Sequence, residues 1–395
     1  MLAALVLGWA VIYADRTCLY PLLSVIAQEI GLTSTQAGAL TSAYFLLYVI
    51  MQIPAGVIGD LVGRKKVLLV MIFISALGLF GLGTLGISYP LLLLFVALHG
   101  FGAGGYYTSA YGTMFQVVEP GRRGISSSII GVGMAFGLLA GLAFSGLVYE
   151  AMNSFRAPFI LMSLPTFALV MLFYLKIPNT SGGVQAGWEQ YRNILLDKQI
   201  WLINLATFTA LYGFWVAVSW GPTFLQVERS FSMVQAGLFT GLTALTAVPA
   251  GLFWGRLSDR VGRKRVALMI MPFAAVSLCL LSLVKSAAGV IGVFLVYGLF
   301  ANSAFCPVMI AWVADIVNLR YPGCMGAAAG LHNSAIMTSA VIAPVVSGYL
   351  SDLTGSLQPA ILAGSAIILA GMGLVLLVPE KGKQGLKDEK LRERG

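Results

Sequence analysis

Gly56-Val57-Ile58-Gly59-Asp60-Leu61-Val62-Gly63-Arg64-Lys65-Lys66 recurs 199 positions later as Gly255-Arg256-Leu257-Ser258-Asp259-Arg260-Val261-Gly262-Arg263-Lys264-Arg265. The same shift superimposes Gln36-Ala37-Gly38 on Gln235-Ala236-Gly237 and Tyr13 on Tyr212, so the repeat reaches well beyond one loop. A basic loop arising by accident would not keep register over such a distance; an internally duplicated chain does.

The segments around these loops are apolar. Residues AVILMFWYC make up 58% of the 395-residue chain and DEKR 10%, with a mean hydropathy of +0.89. A water-soluble globule could carry such a composition only with a very large exposed apolar surface, so the solvent is lipid. Twelve apolar runs can be marked, from 2–27 to 357–379, six in each repeat. Each has the roughly 20 residues needed to cross the hydrocarbon core. The expected fold class is an all-α integral membrane protein of two pseudo-symmetric six-helix bundles. Residues 1–176 form the first bundle, 177–199 a linker with a short amphipathic helix, 200–380 the second bundle, and 381–395 a basic tail. The first run lacks a charged n-region and a cleavage site, and is expected to be a retained helix, not a signal peptide.

The net charge of +9 does not mark a nucleic-acid binder, because the basic residues alternate between loops. Arg64 to Lys66, Arg122, Arg123, Lys176, Arg192, Lys198, Arg256 to Arg265, Arg320 and the tail hold nearly all of them. The intervening loops hold only Arg156, Arg229 and Lys285. This asymmetry places both termini and the repeated loops in the cytoplasm, in a multi-pass inner (plasma) membrane protein. Cys18, Cys279, Cys306 and Cys324 show no Cys-x-x-Cys spacing, so neither a disulfide framework nor a metal site is expected. No nucleophile elbow or phosphate-binding loop is present, which argues against an enzyme and against any cofactor beyond a coupling ion.

Asp15 and Arg16 stand out because thirteen residues from Leu2 to Ala14 and twelve from Thr17 to Gln28 carry no charge. Arg16 lies on the order of 18 Å from either end of such a helix, too deep to snorkel. It must face protein or water, and a functional role is the default reading of an ionisable residue at that depth. A fixed ion pair is the alternative, although neighbours on a helix point about 100° apart and need not meet. At the 199-residue shift the pair maps to Phe214 and Trp215, so the charges are peculiar to one half. The planar fork of Arg16 suits an oxyanion bound through two parallel hydrogen bonds, which points to an anionic substrate. Asp15 is the natural seat for a coupling proton. An anion on Arg16 would change the field at Asp15 and so link the two events.

Other candidates line the expected cavity. His99, in His99-Gly100-Phe101-Gly102-Ala103-Gly104, and His332 are suited to proton or anion binding. His99 is favoured because the small residues around it are expected to open space. Tyr13, Tyr20, Tyr44, Tyr48, Gln52, Tyr106, Tyr107, Tyr212, Trp215, Trp220, Asn302 and Asn333 supply apolar bodies with polar tips. Gly133, Gly137 and Gly141 read as a close-packing face. In the repeated loops, Gly56, Asp60, Gly63 and Arg64, and Gly255, Asp259, Gly262 and Arg263, are expected to act as a gate. The glycines would allow a tight turn, and the carboxylate would meet cations and a positive helix N-terminus. Such a cluster would latch the cytoplasmic ends of the two bundles.

Twelve spans in two repeats around a central loop resemble the major facilitator superfamily over the whole chain. Its motif Gly-x-x-x-Asp-x-x-Gly-x-Lys/Arg-Lys/Arg is matched by Gly56, Asp60, Gly63, Lys65 and Lys66, and again by Gly255, Asp259, Gly262, Lys264 and Arg265. Tyr13-Ala14-Asp15-Arg16-Thr17-Cys18-Leu19, with Gly31-Leu32-Thr33-Ser34 and Gln52-Ile53-Pro54-Ala55-Gly56, is similar to the anion:cation symporter branch. The spinster branch carries a similar Asp-Arg. The resemblance implies alternating-access symport of a small organic anion, a carboxylate or sugar acid, with H⁺ or, in second place, Na⁺. Export of lipid or drug-like amphiphiles is the rival reading. A monomer in the lipid bilayer is expected. One departure is plain: Val96 and Ala103 stand where the branch carries an Arg and a Glu.

Overall fold

The computed structural model describes the backbone of residues 1–119, 123–179, 188–321 and 325–379. The side chains of residues 60, 115, 123–125, 127–128, 188–191, 302–303 and 326–327 lie outside the description. Among the described residues the regular structure is all helical, and twelve stretches are long and apolar enough to cross a membrane. The first bundle contains α1 (Leu2–Thr17) and α2 (Leu19–Ile30), which together make one span, then α3 (Ser34–Val62), α4 (Arg64–Leu85), α5 (Tyr89–Val117), α6 (Arg123–Met152) and α7 (Arg156–Lys176). After the short α8 (Trp188–Leu196) come α9 (Lys198–Val227), the paired α10 (Met233–Gly241) and α11 (Thr243–Val261), and α12 (Arg263–Leu283). The paired α13 (Ala287–Phe300) and α14 (Asn302–Arg320), α15 (Met325–Thr354) and α16 (Gln358–Leu377) complete the second bundle.

The duplication is visible in backbone chemistry. Thr33 and Gln36 form a reciprocal capping box at the start of α3, and Ser232 and Gln235, each 199 positions on, do the same at α10. The device satisfies two amide donors that a helix start leaves free. At the other end of the same hairpins Gly63 (φ 102°, ψ 128°) and Gly262 (φ 110°, ψ 144°) occupy a region that side-chain-bearing residues rarely adopt. Gly56 and Gly255 do not share that duty. They lie inside α3 and α11, where an added Cβ would find ordinary contact with Thr108 or nothing within 4 Å. The expected turn-forming role of the motif's glycines therefore holds for one glycine of each pair.

Small residues set how closely the helices approach. Gly133, Gly137 and Gly141 of α6 lie against the carbonyls of Val6, Ala10 and Ala14, so α6 rides on α1 with a four-residue register. Gly38 of α3 meets Pro344 of α15, and its repeat mate Gly237 of α10 meets Leu142 of α6. These two symmetry-related contacts join the bundles at the end opposite Gly63 and Gly262. A Gly137→Val change would drive its side chain into the Ala10 carbonyl, a backbone atom that cannot yield. We expect it to cost about 3 kcal/mol or more and to lower the melting temperature of detergent-solubilised protein by several degrees. Gly131→Val, on the same helix with nothing within 4 Å, is the matched control and should melt like the wild type.

Candidate substrate site where the bundles meet

Pro21 has no N–H to offer the carbonyl of Thr17, and the first span is interrupted at Cys18. Asp15 and Arg16 occupy the last turn of α1, immediately before that break, and both are buried, at 1% and 3% exposure. Their side chains go different ways. Oδ2 of Asp15 accepts a hydrogen bond from the Thr166 hydroxyl of α7 at 2.6 Å, inside the first bundle. The Arg16 guanidinium lies 3.4 Å above the Tyr13 ring and within 5.3 Å and 5.6 Å of the rings of Phe45 and Trp215. Trp215 belongs to α9 of the second bundle and is the repeat mate of Arg16, so the pseudo-symmetry brings the two equivalent positions face to face. Phe45 and Trp215 are themselves in contact, with ring centroids 4.5 Å apart.

No ion pair joins Asp15 to Arg16 among the described residues; Oδ1 of the acid and Nε and Nη2 of the guanidinium have no hydrogen-bond partner. A charge withdrawn from water without a counterion costs several kcal/mol, and stacking on aromatic faces offsets part of that, about 2 kcal/mol or more for a desolvated contact. Phe45 and Thr166 were not legible as site residues: one is an apolar residue in an apolar helix, the other one of two aliphatic hydroxyls, with Ser163, in a mainly apolar run.

Asp15, Arg16, Tyr20, Thr41, Tyr44 and His99 line a cavity of about 10 Å³ within the first bundle, room for roughly one water. His99 is held at Nδ1 by the Ser75 hydroxyl at 2.9 Å and the Ser75 carbonyl at 3.0 Å, while its Nε2 is unpartnered. The glycines beside it do not open space, contrary to the expectation from sequence. Gly100 and Gly104 press against the Tyr44 and Tyr48 carbonyls of α3, and Gly102 and Gly105 against Ser75 and Met71 of α4. Their function is to let α5 sit tightly between two neighbours.

The remaining candidates fall into separate groups. Tyr13, Tyr20, Tyr44 and Trp215 surround Arg16 or line its cavity, and Tyr48 stacks beside Tyr44 at 6.1 Å. Tyr107 contacts Trp9 and Tyr111 next to that group. Gln52 and Asn333 join the two bundles, the Asn333 amide donating to Oε1 of Gln52 at 2.7 Å nearer the Gly63 end. His332 pairs through Nδ1 with Oδ1 of Asn204 at 2.7 Å inside the second bundle, and Tyr212 packs on Phe208; no hydrogen bond or ring contact joins either to Arg16. Tyr106 and Trp220 serve packing, donating to the carbonyls of Leu5 and Pro344. Asn302 and Asp60 have side chains outside the described residues.

The second repeated loop forms a latch, but within one bundle. Arg263 pairs with Asp259 at 2.6 Å and with Asp315 of α14 at 3.2 Å, and Lys264 donates to the carbonyls of Leu376 and Val378 at the end of α16. It thus ties α11, α12, α14 and α16 to one another, not to the first bundle, because its two acids and two carbonyls all come from the second. In the first repeat Arg64 lies against Gly112 of α5, and Gln116 occupies the position of Asp315.

The more extensive polar clasp between the bundles is at the opposite end. The amides of Ser34 and Thr35 each donate to the carboxylate of Asp352 at 2.8 Å, so an acid at the end of α15 caps the N-terminus of α3 in the other bundle. Gln226 reinforces it, accepting from Ser24 and donating to the Pro21 carbonyl, both at 3.0 Å. Asp352→Ala should shift the population severalfold toward conformers open at this end. Distances between spin labels on Glu29 and Thr354 would report it; an unchanged distribution would show that the apolar glycine contacts hold the end closed unaided.

Two repeat-related six-helix bundles, closed on each other at one end and meeting around a buried cation, define a membrane transporter. The chain belongs to the Major Facilitator Superfamily, whose family model matches residues 5–344 and 228–394. Among similar proteins, the probable sulfoacetate transporter SauU of Cupriavidus necator is 27% identical over 96% of this chain and 93% of its own length. The probable galactarate/D-glucarate transporter GudP of Bacillus subtilis is 23% identical over 93% of this chain and 88% of its own. The human voltage-gated purine nucleotide uniporter SLC17A9 is 25% identical over 89% and 85%. A bacterial homologue of the human lysosomal transporter Spinster, solved in an inward-facing unoccupied conformation, superimposes with a TM-score of 0.80 at 16% identity, covering 95% of this chain and 96% of that one. This likeness is one of fold. The chain is a multi-pass membrane transporter and not an enzyme.

Proposed function

We propose that this transporter carries a small organic anion, a carboxylate or sugar acid, into the cell by alternating access, with H⁺ as the coupling ion and Na⁺ as the alternative. The observation that carries the reading is the Arg16 guanidinium: buried where the bundles meet, with two nitrogens unpartnered and the neighbouring carboxylate engaged by Thr166. A cation that has lost its water and lacks a counterion is stabilised by an arriving anion. Sulfoacetate and glucarate, named for two of the relatives, are organic anions of this kind. Asp15, and after it His99, would bind the coupling proton. Both border the cavity that Arg16 also lines, so anion binding and protonation would influence each other through a short distance in a low dielectric. In this reading both termini face the cytoplasm of the inner membrane, and the end clasped by Asp352 faces outward.

The deciding experiment is uptake of a panel of organic anions into proteoliposomes, with and without an imposed pH gradient. Accumulation of an anion above equilibrium, dependent on the gradient, supports coupled import. Transport of neutral amphiphiles that is indifferent to Arg16 would favour the exporter reading instead.

A further inference from the structure

Gly78 and Gly102 bring the backbones of α4 and α5 together, because an added Cβ at Gly78 would strike the His99 backbone and one at Gly102 that of Ser75. At this crossing the hydrogen bonds fix the imidazole of His99 in one tautomer. A carbonyl can only accept, so Nδ1, 3.0 Å from the Ser75 carbonyl, carries the hydrogen. The Ser75 hydroxyl, 2.9 Å from Nδ1, gives its own hydrogen to the His99 carbonyl at 3.2 Å and accepts from the ring as well. Nε2 of the neutral ring is therefore a bare lone pair. It is buried without a hydrogen-bond partner, and the ring lines the small cavity of the first bundle.

Asp15 borders the same cavity, and its Oδ1 is likewise buried and unpartnered. Carboxylate oxygen and neutral Nε2 are both acceptors, so they cannot bond to each other. The donors around them are Nε and Nη2 of Arg16, and the unpartnered hydroxyls of Tyr20, Thr41 and Tyr44 can act either way. A polar space of about 10 Å³ admits one water. One water supplies what this set lacks: two hydrogens for the two acceptors, and two lone pairs for Arg16 and a hydroxyl. No further charged or titratable residue lines the cavity; α4 and α7 present only Leu79, Leu82 and Phe159 to it, and the buried Cys18, three positions beyond Asp15, lies outside it.

Resting on the reading of Asp15 as the seat of a proton, we propose that Asp15 and His99 are the two ends of one proton site, joined by a water in this cavity, with Ser75 as the positioning residue that keeps Nε2 free to receive. When protonated Oδ1 gives its proton to the water oxygen, the water gives one of its own to Nε2. The acid O–H and one water O–H break, a new water O–H and an N–H form, and the neutral acid and neutral ring become carboxylate and imidazolium. The water is regenerated and nothing is oxidised or reduced. The transfer moves a positive charge from α1 to α5 and leaves a carboxylate beside Arg16, so the position of the proton sets the field at the guanidinium. His99 is thus the partner of Asp15 and not its substitute.

The test requires no cargo. The chain has two histidines, His99 and His332. In full-length protein labelled with nitrogen-15 histidine and held in lipid nanodiscs, the NMR signals lost in His99→Asn belong to His99, and His332→Gln assigns them should that variant fail to fold. We expect neutral His99 to carry its hydrogen on Nδ1 and to accept a hydrogen bond at Nε2. That bond should be lost in Val96→Ile, whose added methyl enters the cavity that Val96 lines. The titration midpoint of His99 should move to lower pH by about one unit or more in Asp15→Asn, which removes the carboxylate that favours the imidazolium. The signals of His332, paired with Asn204 in the second bundle, should stay in place in both variants. A hydrogen on Nε2 of the neutral ring, an accepted bond unaltered by Val96→Ile, a midpoint indifferent to Asp15→Asn, or a ring that stays neutral wherever the protein is folded would each overturn the proposal and leave the organic-anion reading standing. The expected spectra together with liposome uptake that ignores a pH gradient would keep the shared proton and remove proton coupling from the proposed function.

Discussion

Arg16→Lys is expected to weaken binding of the transported anion by about 100-fold while leaving the protein folded. The guanidinium offers two parallel N–H groups in a rigid plane, and its faces rest on Tyr13 and near Phe45 and Trp215. An ammonium keeps the charge but loses the fork and the stacking. Losing one to two charge-assisted hydrogen bonds, at roughly 1.5–3 kcal/mol each, gives about 3 kcal/mol, or a hundredfold in affinity. Because Arg16 has no salt-bridge partner among the described residues, the change breaks no ion pair seen there. A loss of affinity can then be assigned to the ligand role and not to collapse of a structural pair. Equilibrium binding, with melting temperature as the folding control, separates these outcomes; unchanged affinity would remove Arg16 from the site.

Asp15→Asn should preserve exchange of anion for anion within about threefold and abolish accumulation driven by a proton gradient. Thr166 can donate to an amide oxygen as it does to Oδ2 of the acid, so the local hydrogen bond survives while the group that can gain and lose a proton does not. Anion exchange needs only the reorientation of the loaded transporter, whereas accumulation needs a second ion bound and released with each cycle. Counterflow and gradient-driven uptake in the same liposomes measure the two separately. Persistent accumulation in the variant would assign coupling to another group. His99 comes next, since its Nε2 is unpartnered and the ring lines the same cavity.

Much of this architecture could be read along the chain. The number of spans follows from runs of apolar residues matched to the thickness of hydrocarbon. The duplication follows from a loop motif repeated in register, and Gln36 and Gln235 later proved to be the reciprocal halves of two capping boxes. The α6 glycines announced a packing face by their spacing of four. The misreadings share one origin. The glycines around His99 and the loop residues Arg263 and Lys264 stand out in the sequence, but what they touch depends on how neighbouring helices are rotated about their axes. Glycine on a helix can leave a gap or admit a backbone; here α3 and α4 came close enough to fill it. An arginine at a loop can reach either bundle, and the two acids that Arg263 meets, Asp259 and Asp315, belong to its own.

The chain by itself determined that it lives in lipid, crosses it twelve times, and carries an acid and a base at a depth where neither is tolerated without purpose. These properties are local or periodic, set by residue type and spacing along one helix at a time. Only the tertiary structure decided that Asp15 turns inward to Thr166, 151 positions away, while Arg16 turns outward to the face of its own repeat mate, Trp215. Adjacent side chains on a helix diverge by about 100°, and which neighbours occupy those two directions is set by the packing of many helices at once. No stretch of one of them records it.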